Sequence, residues 1–464
     1  MKNNPSIDDV KKGLKGKKIV VVGMARTGMA AAEFLTKIGA KVIVTEVKTE
    51  AELDIPVSRL RSLGVEMELG EHSSQTIFKG DLIVLSPGVS PSLPFLNGAK
   101  VKGTPIVSEI ELAFWYLRQP LIAVTGTNGK STTTALIGHI LSRWGKKIFV
   151  GGNIGTPLTA YLLQTEDAEY IVAEISSFQL ETIRYFRPWI ALLLNLDEDH
   201  LDRHATFSSY VEVKGRIFCN QEPEDWAVVN NDDGTVRGLS TQIKAQLLPF
   251  SRKRGNTRGL WLKDERTLIY TWKGCEESFS LERMKIMGTH NAENIMAAVG
   301  ATKICGVSRN VIQEALESFP GLEHRLKLVG EWHGVRYYND SKATNVASTI
   351  GALMSFTQPI VLLAGGRDKG GDFSPLRRAI KDRARALILM GEAKEKMKEV
   401  LHGLVPLHMV GGMEEGVKLA WEIAQEGDVV LLSPACSSFD MFKDYNERGE
   451  TYEKIVRGLA ETER

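Results

Sequence analysis

The chain has 464 residues, 43% hydrophobic and 25% charged, the balance of a soluble globular protein with room for about three domains. Fifty-eight Lys and Arg against 57 Asp and Glu give a net charge of +1, so neither a basic nucleic-acid surface nor an acidic tail is present. Apolar runs are a few residues long, far short of the ~18 needed to span a bilayer, and the first 18 residues hold no signal-peptide core; a cytoplasmic protein is expected, with no nucleic-acid or membrane partner. Four scattered cysteines, Cys219, Cys275, Cys305 and Cys436, show no paired spacing and read as reduced and mostly buried.

In chain order, short apolar runs ending in Gly, Ser or Asn recur at 19–22, 82–85, 122–124, 171–173, 191–194, 360–363, 386–389 and 429–432. Such runs predict strands buried on both faces of parallel sheets. Helical patterns such as 108–117 and 131–141 lie between many of them, which is the rhythm of doubly wound α/β domains. Three blocks are expected: a Rossmann-like block 1–108, a central nucleotide-binding block 109–320 with a parallel sheet, and a Rossmann-like block 321–464, with Phe319-Pro320-Gly321 as the hinge. Within the second, 260–262 and 268–272 flank a polar Lys263-Asp264-Glu265-Arg266 and predict an antiparallel hairpin appended to the sheet.

The first block carries Gly23-Met24-Ala25-Arg26-Thr27-Gly28 after a strand, a dinucleotide-type turn with Ala25 at the second glycine position. Glu46 ends the next strand, where a ribose-binding acid would sit. NAD or a uridine diphosphate fits this turn, because a helix N-terminus recognises phosphate rather than nicotinamide.

The strongest local signal is the strand-turn-helix 123–132, Ala-Val-Thr-Gly-Thr-Asn-Gly-Lys-Ser-Thr. Along the turn Gly126, Thr127, Asn128 and Gly129, bare backbone N–H groups and the following helix N-terminus favour anions, Lys130 can reach the outer phosphates of ATP or GTP, and the Ser131 hydroxyl can ligate Mg²⁺, with Thr132 next in the helix. Val124 stands where the full P-loop pattern has another Gly. Glu174 ends an apolar strand as an acidic Mg²⁺ ligand would, and the polar run 195–204 contains His200 as a candidate ligand, with Asp197, Asp199 and Asp202 either ligands or turn and cap residues. Lys214 alone reads as an ordinary surface lysine. In the third block Glu323-His324-Arg325-Leu326, the loop 339–345, the loop 364–372 and the loop 432–440 lie near or directly after strands, where open α/β sheets hold ligands.

The ordered set GTNGKST, AEISSFQLE, NLDEDHLDRH, the Lys214 segment, GTHNAENIMAA, EHRL, NDSKATN and SPACSSFD resembles the Mur ligases, the ATP-dependent amino-acid ligases of peptidoglycan synthesis, over nearly the whole chain. The C-terminal LLSPACSSFDMFKDYNERG and the short first block match the branch whose substrates are UDP-N-acetylmuramoyl-L-alanine and D-glutamate; the D-N-P-R motif of the diaminopimelate-adding branch is absent. The resemblance implies a cytoplasmic enzyme, expected to be a monomer, that forms an amide through an acyl phosphate.

Carried over, it implies that Lys130 and Ser131 hold ATP phosphates and Mg²⁺, Glu174 is a further metal ligand, and His200 binds a second Mg²⁺. Lys214 matches a lysine carbamylated by CO₂, whose carbamate supports the metals. Asn291, Asn294, Arg325, Asp340 and Lys342 match positions around adenine, ribose and phosphates; Thr344, Lys369, Ser438 and Tyr445 match those around D-glutamate; Thr27, Gly88, Asn153, Ser176 and Gln179 match those along the UDP-sugar. Two departures are visible: Phe439 and Tyr445 replace Leu and Phe at the glutamate site, and Glu46-Val47 replaces Asp-Thr at the uracil site. A folate-polyglutamating ligase would share the phosphate loop but has no use for the 23–28 turn; a NAD oxidoreductase leaves the phosphate loop and 197–204 unexplained; a regulatory ATPase would hydrolyse ATP without an amino acid.

Overall fold

The computed structural model describes residues 11, 13–53, 57–253, 258–284, 286, 289–368 and 370–462. The strands assemble into three sheets. The first contains β1 (Lys18–Val22), β2 (Lys41–Glu46), β3 (Glu66–Leu69), β4 (Leu82–Leu85) and β5 (Ile106–Ser108), all parallel in the order β3-β2-β1-β4-β5. Its continuous apolar runs arise because both faces are covered. Ile19 and Val21 enter one core while Val20 and Val22 enter the other, as a side-chain period of two requires.

The second sheet contains β6 (Leu121–Thr125), β7 (Ile148–Gly152), β8 (Tyr170–Glu174), β9 (Ile190–Leu193), β10 (Trp226–Asn230), β11 (Gln246–Ser251), β12 (Gly259–Asp264), β13 (Thr267–Trp272) and β14 (Cys275–Ser280). Their order is β14-β13-β12-β11-β10-β9-β6-β8-β7. Ile122 and Val124 of β6 pack into one core, Leu121 and Ala123 into the other. The expected hairpin is present, Leu260 opposite Tyr270 and Leu262 opposite Leu268, but it is two-thirds of a meander: β14 adds a third antiparallel strand. Only Phe279 of β14 is buried, so its sequence CEESFS carries no apolar alternation to read.

Strand order decides where the chemistry lies. β6 sits between β9 and β8, with Thr125 level with Leu193 and Val124 level with Glu174, so the segments leaving these three strands share one edge. The chain reverses direction of growth between β6 and β9, which makes this edge the sheet's ligand crevice.

The third sheet contains β15 (Lys327–Trp332), β16 (Val335–Asn339), β17 (Ile360–Gly365), β18 (Ala384–Met390), β19 (Leu407–Met409) and β20 (Val429–Leu432), in the order β15-β16-β20-β17-β18-β19. Only β15 is antiparallel. Asn339, Leu432 and Leu363 lie level, so the loops after β16, β20 and β17 emerge together. Among the described residues no helix is long and apolar enough to cross a membrane. The cysteines correct one expectation: all four are free, but Cys219 and Cys275 are exposed and only Cys436 is buried.

Candidate active site between the second and third sheets

The phosphate loop is built by steric necessity. Gly129 precedes the helix Lys130–Arg143 with φ +83°, and a Cβ there would lie 2.1 Å from Asn294 Oδ1, so only glycine lets the loop pass beneath the helix Thr289–Ile304. The loop is pinned from below, and this corrects the expectation of bare N–H groups along it: those of Thr127 and Asn128 both donate to Asn195. Asn195 Oδ1 accepts from the Asn128 N–H at 2.7 Å, Asn195 Nδ2 donates to the Asn128 carbonyl at 3.2 Å, and Thr127 Oγ1 accepts from the Asp197 N–H at 3.0 Å. The Tyr210 hydroxyl lies 3.0 Å from Thr127 Oγ1. Asn195 and Tyr210 belong to segments singled out in the sequence, but nothing there marked them as the loop's supports; the one available signal was that Tyr210 precedes Lys214 by a helical turn, on the same face.

Lys130 Nζ donates to the carbonyls of Gly126 and Thr127 at 2.9 and 2.8 Å. The Ser131 hydroxyl donates to Glu174 Oε2 at 2.6 Å, and Asn153 Nδ2 donates to Glu174 Oε1 at 2.8 Å. Glu174 is therefore fixed at both oxygens beside the hydroxyl expected to face the metal. Lys214 is no surface residue: 2% exposed, it rises from the helix Phe207–Gly215 to donate to the Gly126 carbonyl at 2.9 Å, with Thr125 Oγ1 at 3.3 Å. Burial, and then the positive charge of Lys130, hold its pKa well below the usual lysine value. The sequence hid this because an amphipathic helix end bears lysines routinely, and only the tertiary fold buries this one.

His200 adopts a left-handed conformation, φ +54°, as the residue before the short helix Leu201–His204. Its N–H donates to Asp199 Oδ1, its ring stands edge-on to Phe178 at 4.8 Å, and its Nε2 lies 3.7 Å from Asp199 Oδ2. Asp199 thus serves as a local turn residue beside the ring. Asp197 is raised above the usual carboxylate range by burial and by the neighbouring charge of Asp233.

Two cavities open around this loop. One, of about 360 Å³, is lined from the second sheet by Lys130, Asn153, Ser176, Asp199, His200, Tyr210 and Lys214, and from the third by Thr344, Ser437, Ser438, Phe439 and Tyr445. The other, of about 190 Å³, is lined by Asn128, Gly129, Asn294, Arg325, Asp340 and Lys342 with Ala343, Ala347 and Ser348. Asn294 Nδ2 donates to Asn291 Oδ1 at 3.1 Å, which places Asn291 behind the wall. Gln179 also stands behind its cavity, closing the capping box of the helix Ser177–Leu180 by accepting from the Ser176 N–H. Thr132 is buried in the helix with its hydroxyl unpartnered. Lys369, expected near D-glutamate, lies outside the described residues, as does the side chain of Asp202.

The third sheet supplies cations and an unusual acid. Asp340 accepts from Ser433 Oγ at 2.8 Å and the Leu326 N–H at 3.2 Å, and burial pushes its pKa up to about 7. Lys342, its Nζ 5.2 Å from the centre of the Tyr445 ring, is brought down to about 8 by burial and then by Arg325, Glu174 drawing it the other way. Arg448, 1% exposed, was missed: its guanidinium donates to Ser341 and to the carbonyls of Cys436 and Ser437, tying the loops after β16 and β20 together. A third cavity, of about 850 Å³, lies at the first sheet and is lined by the turn residues Gly23–Thr27 with Glu46, Val47, His72, Ser86, Gly88 and Phe95.

Comparison with known proteins bears on the whole chain. Residues 17–108 match the family model of the Mur ligase MurD-like N-terminal domain, 124–302 that of the Mur ligase middle domain, and 324–436 that of the Mur ligase glutamate ligase domain. A UDP-N-acetylmuramoylalanine--D-glutamate ligase of Geotalea daltonii is 46% identical over 447 residues, 96% of this chain and 98% of the relative. One of Geobacter metallireducens is 47% identical over 451 residues, 97% of this chain and 99% of the relative. The chain belongs to the Mur ligase family. Among solved Mur-ligase folds, a pseudomurein peptide ligase type C from Methanothermus fervidus aligns over 96% of this chain and 100% of its own with a TM-score of 0.62 at 20% identity. The MurF ligase of Thermotoga maritima aligns over 98% and 97% with a TM-score of 0.61 at 17% identity. The three-sheet architecture described above is thus a Mur ligase fold.

Proposed function

We propose that this chain joins the amine of D-glutamate to the carboxylate of UDP-N-acetylmuramoyl-L-alanine, with ATP as the energy source, in the cytoplasm. The observation that carries the reading is the 360 Å³ cavity, where Lys130 and Lys214 of the second sheet face Thr344, Ser438 and Tyr445 of the third. The full-length relatives named for that reaction support the substrate pair.

The residues present fit Mg²⁺. Among the described residues no group of three or more His, Cys, Asp or Glu side chains forms a preformed cage; Mg²⁺ needs none, being held by one or two carboxylates, waters and substrate phosphates. Ser131 and Glu174, 2.6 Å apart, would hold one ion, and His200 with Lys214 in its carbamylated form a second. The ions would supply positive charge at the transferring phosphoryl group. A buried lysine with a lowered pKa more readily offers CO₂ its neutral amine; the N–C bond forms, one proton leaves, and the neutral amine becomes a carbamate anion beside the loop.

The phosphate loop orients ATP, with Lys130 leaving its loop carbonyls for the outer phosphates. The substrate carboxylate attacks the γ-phosphate in line, the bond to the bridging oxygen breaks, ADP leaves and an acyl phosphate remains; cations must offset the repulsion between the two reacting anions. The acyl phosphate then meets the D-glutamate amine. Its tetrahedral adduct carries negative charge on oxygen that Lys130 and Lys342 stabilise; the nitrogen loses a proton, and collapse expels phosphate and leaves the amide. Asn291, Asn294, Arg325 and Asp340 would hold the nucleoside, while Thr27, Gly88, Asn153, Ser176 and Gln179 would hold or support the UDP-sugar.

The test is phosphate release from ATP and Mg²⁺ with UDP-N-acetylmuramoyl-L-alanine, comparing D-glutamate, L-glutamate, L-alanine and L-lysine. Release that requires D-glutamate is expected. Release without any amino acid, or with a different acceptor, overturns the assignment.

A further inference from the structure

In the first-sheet cavity one side chain is prepared for a task that the phosphate-recognising turn cannot perform. His72 follows β3 and lines the cavity, its ring centre 4.7 Å from that of Phe95, inclined by 37°. Its Nδ1 lies 2.9 Å from the hydroxyl of Thr45, a fully buried residue of β2.

That hydroxyl has a single proton, and two acceptors compete for it: Glu68 Oε2 at 3.0 Å and the Glu71 carbonyl at 3.1 Å. Glu68 is committed as an acceptor. It also receives the Ser73 N–H and the hydroxyls of Ser73 and Thr76, and these bonds outweigh its partial burial to hold the carboxyl below its usual range. The ionised Glu68 is the strongest acceptor around that proton; with the Thr45 hydroxyl donating to it, Thr45 Oγ1 accepts from His72, and Nδ1 carries a hydrogen. Burial lowers the imidazole pKa against the pull of Glu46 and Glu68, and a neutral ring protonated on Nδ1 has a bare lone pair on Nε2. Among the described residues Nε2 has no hydrogen-bond partner.

We infer that His72, locked by the Thr45–Glu68 relay, is the base-reading residue of this cavity: its Nε2 accepts the imide N3–H of a uracil ring beside the His72–Phe95 pair. The inference rests on the nucleotide reading of the cavity given above. The diphosphate lies at the start of the helix Arg26–Lys37, whose N-cap Ala25 provides no side-chain capping bond, so the first-turn N–H groups remain available to it. Uracil presents a donor at N3 between two carbonyls. Cytosine presents a lone pair there, which would face the lone pair of Nε2, and a buried polar mismatch is rejected more strongly than a missing contact.

The experiment measures binding of UDP, CDP and N3-methyl-UDP to the full chain by calorimetry. Wild type should bind UDP about tenfold or more tightly than either analogue, the scale of one lost hydrogen bond in a partly desolvated site. His72→Phe, which keeps a ring against Phe95, should lose that preference while binding of a non-hydrolysable ATP analogue stays unchanged, and His72→Gln, which keeps an acceptor, should retain part of it. ¹⁵N NMR of histidine-labelled wild type reads the tautomer without mutation and should show Nε2 unprotonated. Equal binding of UDP and N3-methyl-UDP, preference surviving in His72→Phe, or a protonated Nε2 with bare Nδ1 overturns the assignment. Absence of any UDP binding to wild type overturns the nucleotide reading of the cavity as well, whereas UDP binding indifferent to N3 overturns His72 alone.

Discussion

Asn128 of the phosphate loop and Ser348 of the third block meet across the cleft, the Ser348 hydroxyl donating to Asn128 Oδ1 at 2.7 Å. Asn345, N-cap of the same helix Val346–Met354, donates its Nδ2 to the same oxygen at 3.2 Å. The residue whose backbone N–H is tied to Asn195 therefore also holds the third block against the second, so the closure of the cleft and the shape of the phosphate loop are linked through one side chain.

Asn128→Ala should open that link. Two hydrogen bonds of about 0.5–1.5 kcal/mol each are lost, so the KM for ATP should rise roughly tenfold while the melting temperature barely moves. X-ray scattering checks the cause: the variant should be more extended than wild type without ligand and approach it when an ATP analogue and the UDP-substrate are both bound. A profile identical to wild type in both states would count against the latch.

Ser131 and Glu174 should behave as one unit toward Mg²⁺. Ser131→Ala and Glu174→Gln each ought to raise the Mg²⁺ concentration needed for half-maximal phosphate release, and the double variant should be little worse than Glu174→Gln, because residues in direct contact are not additive. Full additivity of the two effects would mean that the 2.6 Å contact plays no part in holding the ion.

Lys342 predicts a basic limb. Its folded pKa of about 8 lies below the ordinary 10.5, chiefly through burial, so the charge is lost as pH rises through about 8, while an unfolded lysine would keep it to about 10.5. Between those values the unfolded chain binds more protons, so the cost of burying this group shrinks and stability rises with pH, yet the site has lost a cation facing phosphate. The kcat/KM for ATP, which reports the free enzyme, should fall above pH 8, and Lys342→Arg should move that limb upward, since guanidinium keeps its charge. An unmoved limb would assign the titration elsewhere.

How far the sequence disclosed this site follows from what each residue depends on. The strand-turn-helix around Lys130 and Ser131 was legible because it is local: its strand, turn and helix are contiguous in the chain. Glu174 was legible as an acid closing an apolar strand. Lys214 was not, because its burial depends on the partnering of β6 with β9 and on the helix that crosses beneath them; only the family resemblance singled it out. Arg448 and the Thr45–Glu68–His72 relay were hidden for the same reason, their partners lying up to 107 residues away in the chain. In the fold, strands buried on both faces announced themselves as apolar runs, whereas β3, β14 and β15, half-exposed edge-region strands of sequences EMEL, CEESFS and KLVGEW, did not.

Lys214 offers the sharpest test of the chemistry. With its pKa lowered by burial and by Lys130, its amine should react with dissolved CO₂, and the product should persist because the anion it creates is buried beside the Lys130 cation. Protein dialysed into CO₂-free buffer at mildly acidic pH, where carbamates decompose, should lose most of its ligase rate and regain it on addition of bicarbonate. Lys214→Arg should be inactive under both conditions, since guanidinium is never a neutral nucleophile, yet it keeps the positive charge that a purely structural role would need. ¹³C NMR after addition of labelled bicarbonate supplies the independent readout: a single carbamate resonance in wild type and none in Lys214→Arg. A wild-type rate indifferent to CO₂, with no such resonance, would assign Lys214 to bracing Gly126 alone.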